Sequence, residues 1–249
     1  MSRTPAKERA DILLVEKGLC ESRAQAQRLI MAGEVRIGAD RVVRKAAEIV
    51  ATDADLRVQH PCPYVSRGAY KLLPALSQFL PDLPPHAHCL DIGASTGGFT
   101  DLLLQRGAER VYAVDVGHGQ LHFKLRQDPR VVVLERLHAR DLSSEHVPAP
   151  VDILVADVSF ISLRKVLPAC VPFVKKNAYA FTLVKPQFEA ARSEVGRGGV
   201  VRDEAVRARC VQEIRDFCLA ELGWSPLGDV PSPISGPKGN RETVAVFQT

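Results

Sequence analysis

Cys89-Leu90-Asp91-Ile92-Gly93-Ala94-Ser95-Thr96-Gly97-Gly98-Phe99 decides how most of this chain folds. A short apolar run ends at a glycine-rich turn, and a helix-compatible segment follows. That is the form of a strand-to-helix turn whose backbone can approach a ligand closely. The glycines stand at 93, 97 and 98, with Ser95 between them, so the spacing is not the G-x-G-x-x-G of a dinucleotide pyrophosphate cradle. Similar apolar runs lie at residues 111–116, 131–134, 153–158, 180–184 and 244–247. Helical segments such as 99–105 and 203–222 fall between them. Short continuous apolar strands alternating with helices predict an α/β fold with a mostly parallel central sheet covered on both faces.

Composition sets the surrounding class. The chain has 249 residues, 46% hydrophobic and 25% charged, as in ordinary globular proteins. Six cysteines occur at 20, 62, 89, 170, 210 and 218 with no C-x-x-C pair, which reads as reduced core thiols rather than a zinc site. Residues 1–10 are charged and lack the apolar core of a secretory signal, and no run approaches the ~18 apolar residues of a membrane helix. The expected setting is cytoplasmic, away from membranes. Net charge is +4. Between Ser22 and Lys45 six basic residues (Arg23, Arg28, Arg36, Arg41, Arg44, Lys45) face two acids, so this short segment alone matches the excess of the whole chain. His118 and His122, four apart on a predicted helix, have no third ligand, and no metal is expected.

That basic segment lies in a separate N-terminal part. Residues 9–16 carry apolar side chains at helical spacing and stop at Gly18. Ser22 suits an N-cap for a helix over 23–32 that ends at Gly33. Val35 and Ile37 alternate with Arg36 in a strand, Gly38-Ala39-Asp40 turns, Val42-Val43 opens a second strand, and Leu56 and Val58 belong to a third. The order Arg9-Ala10-Asp11, Leu13-Leu14, Ser22-Arg23-Ala24-Gln25-Ala26, Leu29-Ile30, Gly33-Glu34-Val35 resembles the S4 RNA-binding domain, a small α+β unit. The resemblance implies contact with structured RNA, and the candidate contacts are Arg9, Ser22, Arg23, Arg28 and Arg36, with Arg67 further on. Arginine suits the role because its planar fork of donors grips phosphate with little regard for base identity. Pro61 and Pro63 stiffen the next stretch. The expected organisation is an S4-like domain over 1–60, a linker over 61–65 and a second domain over 66–249.

The 89–99 turn resembles motif I of class I methyltransferases, a Rossmann-like fold. The resemblance implies that Asp91, Gly93, Ala94, Ser95, Gly97, Gly98 and Phe99 receive the amino-acid end of S-adenosylmethionine. Asp115, closing the second strand, is the expected ribose acceptor. Asp141 is either the partner of the adenine amino group or a helix cap.

Four more polar residues fall where the carboxyl edge of such a sheet gathers them. They are Lys71, Asp157 after the fourth strand, Lys185 after the fifth and Glu242 before the last. Lys, Asp, Lys and Glu in this order resemble the catalytic tetrad of the FtsJ-type ribose methyltransferases. With the S4-like start, the whole chain resembles the TlyA family, labelled hemolysin A, whose members methylate the 2′-hydroxyl of cytidine in ribosomal RNA. The shortness of both chain ends resembles the branch that acts on the large subunit. The resemblance implies that Asp157 also touches the cofactor and that ribosomal RNA or a ribosomal subunit is the partner. A ribose hydroxyl must lose its proton as it attacks, and a lysine can take that proton only where burial or a nearby cation disfavours the ammonium. Lys185 is the expected base and Lys71 the neighbouring cation, with Asp157 and Glu242 orienting both. Gly196-Arg197-Gly198-Gly199-Val200 reads as either a clamp on RNA backbone or an inert loop. Three rival readings are a non-catalytic RNA-binding protein, a membrane-damaging hemolysin and a small-molecule methyltransferase, which the basic N-terminal part opposes. The intact tetrad opposes the first. The lack of an apolar or long amphipathic stretch opposes the second. Oligomeric state is not legible.

Overall fold

A computed structural model describes residues 6–20, 22–38, 41–58, 63–236 and 238–249. The chain forms two compact units, Met1–Pro63 and Tyr64–Thr249. The turn at Ala39-Asp40 and the start of the expected linker, Pro61-Cys62, lie outside the described residues.

In the first unit, β1 (Lys7–Arg9) leads directly into α1 (Ala10–Glu16), and Ser22 caps α2 (Arg23–Met31) by accepting the Gln25 N–H. Three strands, β2 (Val35–Ile37), β3 (Arg41–Val42) and β5 (Leu56–Val58), pair in the order β3-β2-β5. A separate two-stranded ladder joins β1 to β4 (Ile49–Ala51). Leu13, Leu14, Ala26, Ile30, Val35 and Val50 build the core. The β1–β4 ladder departs from the sequence reading, in which residue 9 begins a helix. Lys7, Glu8 and Arg9 carry no apolar alternation, and only pairing with Ile49–Ala51 makes them a strand.

Asp11 organises this unit. Its side chain is fully buried and accepts from Arg9 Nε (3.0 Å) and Nη2 (3.0 Å), Arg23 Nη2 (3.2 Å) and Gln27 Nε2 (2.9 Å). The Arg9 hydrogen bonds hold its carboxyl far below the usual carboxylate range against the opposing effect of burial.

The second unit holds a seven-stranded sheet in the order β11-β12-β10-β9-β6-β7-β8. Its strands are β6 (His88–Ile92), β7 (Arg110–Asp115), β8 (Val131–Glu135), β9 (Val151–Ala156), β10 (Val174–Val184), β11 (Ser225–Pro231) and β12 (Thr243–Gln248). The pairs β6–β7, β7–β8, β6–β9 and β9–β10 are parallel, while β12 runs antiparallel to both β10 and β11. Helices α3 (Ala69–Phe79), α4 (Gly98–Gln105), α5 (Phe123–Arg126), α6 (Leu167–Cys170), α7 (Pro186–Glu189) and α8 (Glu204–Leu222) complete it. Alternate strand residues serve opposite faces. Cys89, Phe181 and Val246 pack with Leu72 of α3 and Leu102 of α4, whereas Leu90, Ala180 and Phe247 pack with Ile214 and Cys218 of α8. Both faces are covered, which is why the strands read as unbroken apolar runs. Among the described residues no helix is long and apolar enough to cross a membrane.

Replacing Asp11 by Asn removes the charge that holds two arginines. We expect it to destabilise the first unit by about 2 kcal/mol, the scale of hydrogen bonds to a charged group. The depressed folded pKa makes this contribution fully present above the unfolded carboxyl value and lost progressively as pH falls from there to the folded value. Chemical denaturation against pH therefore shows an acid-range loss of stability in the wild type that is reduced in Asp11→Asn.

Candidate active site at the carboxyl edge of the sheet

The parallel strands deliver their last residues to one edge, and β12, running the other way, delivers its first residue to the same edge. Asp157 follows β9, Lys185 follows β10, Glu242 precedes β12, and Lys71 comes from the first turn of α3. The sheet thus gathers four residues that are 171 positions apart in sequence at their extremes.

Together they form an alternating chain of charge. Lys71 Nζ lies 2.7 Å from Glu242 Oε2 and 4.0 Å from Asp157 Oδ2. Lys185 Nζ lies 2.5 Å from Asp157 Oδ1 and donates to Ser159 Oγ at 2.8 Å. Lys185 is 6% exposed and Glu242 2%, so neither charge could be tolerated without its neighbour. Two close approaches hold the arrangement. At Gly93 (φ +85°) a Cβ would stand 2.4 Å from the Asp157 carbonyl oxygen, and the Asp157 N–H donates to the Ile92 carbonyl at 2.9 Å. At Gly236 a Cβ would stand 2.5 Å from Glu242 Oε1.

Beside this chain is a cavity of about 560 Å³ lined by Gly93, Ser95, Asp115, Gln120, His138 and Asp157, with Ser159 and Phe160 at its border. Asp115 accepts the Ser95 N–H (2.8 Å) and the Gly117 N–H (2.7 Å), which fixes its carboxylate at the strand end. Glu135, at the end of β8, accepts N–H groups of Gly119 (2.9 Å) and Gln120 (3.2 Å) and pairs with Arg126 and His118. The Gly119 and Leu121 N–H groups and the Arg126 charge hold its carboxyl at about 2, so the loop that carries Gln120 is pinned by a permanent anion.

Only part of the sequence-predicted cofactor set lines this cavity. Gly93, Ser95, Asp115 and Asp157 do. Asp91 does not: it is fully buried, accepts the Thr100 hydroxyl at 2.6 Å, and burial pushes its carboxyl up to about 7. It ties β6 to α4. Ala94 is buried behind the turn, and Phe99 faces the core beneath α3. Gly97 abuts Leu125, and Gly98 abuts Ser66 Oγ and the Ala69 N–H, so those two glycines serve close packing. Asp141 is exposed in a short 3-10 turn outside the cavity, and the nearby lining residues are Leu137, His138 and Ala139. His118 and His122 share no helix: Gly117 and Gly119 interrupt it, His118 pairs with Glu135, and His122 caps α5. Sequence reading missed Gln120, His138, Ser159 and Phe160. Ser159 and Phe160 had a signal, lying two and three residues after Asp157. Phe160 is 90% exposed at φ +65°, a costly backbone state for an aromatic residue, and its ring centroid is 5.2 Å from that of Phe188.

In the first unit, Arg9 and Arg23 present partly exposed guanidinium groups oriented by Asp11. Arg28 is exposed on α2, and Arg36 lies directly across from Arg57 in the β2–β5 register. Ser22 spends its side-chain oxygen on the helix cap. Arg67 is exposed at the entry to α3.

The cavity and its donor set fit a nucleoside-bearing methyl donor. The fixed Asp115 carboxylate keeps acceptor capacity for a ribose diol, and the bare backbone at Gly93 and Ser95 leaves room for a polar tail.

Comparison with known proteins agrees with this geometry. The FtsJ-like methyltransferase family matches residues 64–249, and the S4 domain family matches residues 8–56. The 16S/23S rRNA (cytidine-2′-O)-methyltransferase TlyA of Mycobacterium tuberculosis is 49% identical over 237 residues, covering 95% of this chain and 88% of its own. Hemolysin A of Brachyspira hyodysenteriae is 41% identical over 243 residues, covering 96% and 99%. A solved structure from Streptococcus thermophilus superposes with a TM-score of 0.75 at 39% identity, over 99% of this chain and 90% of that one. The chain is therefore an enzyme of the FtsJ-like methyltransferase family, in its TlyA (hemolysin A) branch, with an S4 domain ahead of the catalytic unit.

Proposed function

We propose that this chain transfers a methyl group from S-adenosylmethionine to the ribose 2′-hydroxyl of a cytidine in ribosomal RNA. The observation that carries the reading is the buried Glu242–Lys71–Asp157–Lys185 chain beside a cavity bordered by Asp115. The Mycobacterium tuberculosis relative, named for this reaction on 16S and 23S RNA, supports the substrate.

When bound, the cofactor supplies an electrophilic methyl on a sulfonium. Asp115 would hold its ribose, the 93–95 turn would receive its amino-acid end, and His138 and Leu137 would flank its base. The RNA hydroxyl enters between the cavity and the tetrad. Lys185 enters the step as the neutral amine, and its Nζ lone pair takes the hydroxyl proton as the oxygen attacks. Asp157 and Ser159 hold that nitrogen in place, and Asp157 balances the ammonium that forms. Lys71, fixed by Glu242, steadies the negative charge that develops on the oxygen.

The S4 unit holds structured RNA through Arg9, Arg23, Arg28 and Arg36, and residues 61–65 link it to the catalytic unit, with Arg67 just beyond. Ser22 contributes by fixing the start of the arginine-bearing helix. A ribosomal substrate places the enzyme in the cytoplasm.

The primary test is transfer of tritiated methyl from S-adenosylmethionine to ribosomal subunits that lack the modification, followed by nuclease mapping. Label on a cytidine 2′-oxygen is expected. Label on a base, or none on either subunit, contradicts the reading. Lys185→Ala is expected to abolish turnover while cofactor affinity, measured by calorimetry, stays within about twofold; wild-type turnover in that variant removes Lys185 as the base. Gly236→Ala should displace the Glu242 carboxylate and lower kcat about 100-fold, the scale of a 1 Å misplacement, with cofactor affinity retained.

A further inference from the structure

Two loops meet beside Glu242 and are bolted together by one buried amide. Asn240 is 2% exposed; its Nδ2 donates to the Gly199 carbonyl at 2.8 Å, and its Oδ1 accepts the Val201 N–H at 3.0 Å. Asn240 thus ties the Gly196–Val200 turn to the turn that carries Glu242. Their junction opens into a hollow of about 440 Å³ lined by Arg202, Arg207, Arg241, Glu204 and Gly239. A second hollow of about 440 Å³ shares Glu204, Arg207 and Arg241 with the first and extends to Ser232, Ser235 and Glu242. The two make a continuous trough that ends at a member of the lysine–carboxylate chain.

The charge of this trough is unbalanced. Arg202 and Arg241 are exposed, and among the described residues no carboxylate lies within ion-pair distance of either. Arg207 is preset instead: it donates to the Arg202 carbonyl at 2.7 Å, and its acid neighbour Glu204 stands 3.9 Å away with its side chain 88% exposed. The N-terminus of α8 is not the attraction, because Asp203 already caps it by accepting the Ala205 N–H. Three guanidinium groups on one concave surface, one of them pre-oriented, suit a chain of phosphates. Val200, Val201, Val211, Pro231 and Pro233 also line the two hollows, and the arginines at their mouth set the charge that an entering ligand meets.

We propose that Arg202, Arg207 and Arg241 form a phosphodiester-binding trough for the single-stranded RNA that flanks the target nucleotide. This rests on the methyltransferase reading above, since the trough ends at Glu242. The bound strand leaves the target ribose at the tetrad and lays its neighbouring phosphates along the arginines. Arg207 acts as the fixed register point, while Arg202 and Arg241 close from the two loops that Asn240 joins.

The test is binding of a ribosomal RNA fragment by fluorescence anisotropy across a salt series, with Arg202→Ala/Arg241→Ala beside the wild type. Each lost phosphate contact lowers the slope of log affinity against log salt by about 0.7 for single strands, so a drop of about 1.4 is expected. Arg202→Lys/Arg241→Lys should keep most of that slope. Calorimetry with S-adenosylhomocysteine checks that the catalytic unit is folded; if the double variant loses that affinity, Arg202→Ala alone, from the loop without Glu242, is expected to show about half the drop. Unchanged salt slope and RNA affinity in the folded variants overturn the trough. Methyl transfer by the wild type to the same fragment is followed in parallel: RNA bound but unmethylated counts against the catalytic reading, while the salt slopes still judge the trough.

Discussion

Asp157 stands between two lysine side chains at the wall of the cavity, and much of the catalytic unit is arranged to keep it there. Its own N–H is tied to the end of β6, and its carbonyl oxygen presses on the bare backbone of Gly93. One lysine reaches it from the end of a strand and the other from the start of α3. Glu242 balances the second lysine from a strand that runs the opposite way. A buried charge without its partner costs several kcal/mol, so these four positions depend on one another more than on the rest of the sheet.

A recurring device holds the loops around this centre. A buried acid or amide takes backbone N–H groups from the loop it must fix. Glu135 holds the loop of Gln120, and Asn240 joins the two turns beside Glu242. Glu189, its carboxyl raised by burial, accepts from Ser162 Oγ (2.6 Å) and the Leu163 N–H (2.8 Å), just after Phe160. Asp11 plays the same part in the first unit, with arginine side chains in place of backbone groups. At Glu135 and Asp11 the donors outweigh desolvation, while at Glu189 burial still prevails over its two donors.

Most strands of the central sheet were legible because burial on both faces leaves an unbroken apolar run. β11 was not: it contains Pro226, Gly228 and Pro231, residues that a sheet tolerates at its edge and that break any strand pattern in sequence. β1 and β4 escaped for a related reason, each being three residues long and defined only by the other. The tetrad was legible as a resemblance and by its placement at strand ends. Within the 89–99 turn, sequence could not separate the residues that face the cavity from those that pack beneath it. Asp91 and Phe99 differ from Gly93 and Ser95 only in which way the backbone points them. Gln120 and His138 lay beyond reach because their positions follow from loop paths that Glu135 and neighbouring turns impose.

The reversed direction of β12 has a practical side. Its first residue belongs to the reactive edge, and its last, Gln248, pairs with Tyr179 and Ser225 toward the opposite rim. Thr249 is fastened there, its carbonyl accepting the Asn177 N–H at 2.6 Å. Six strand residues at about 3.4 Å each put the chain end roughly 20 Å from Glu242. A tag, fluorophore or fusion partner joined after Thr249 thus departs from the rim of the sheet opposite Glu242 and leaves the edge that carries the lysine–carboxylate chain clear.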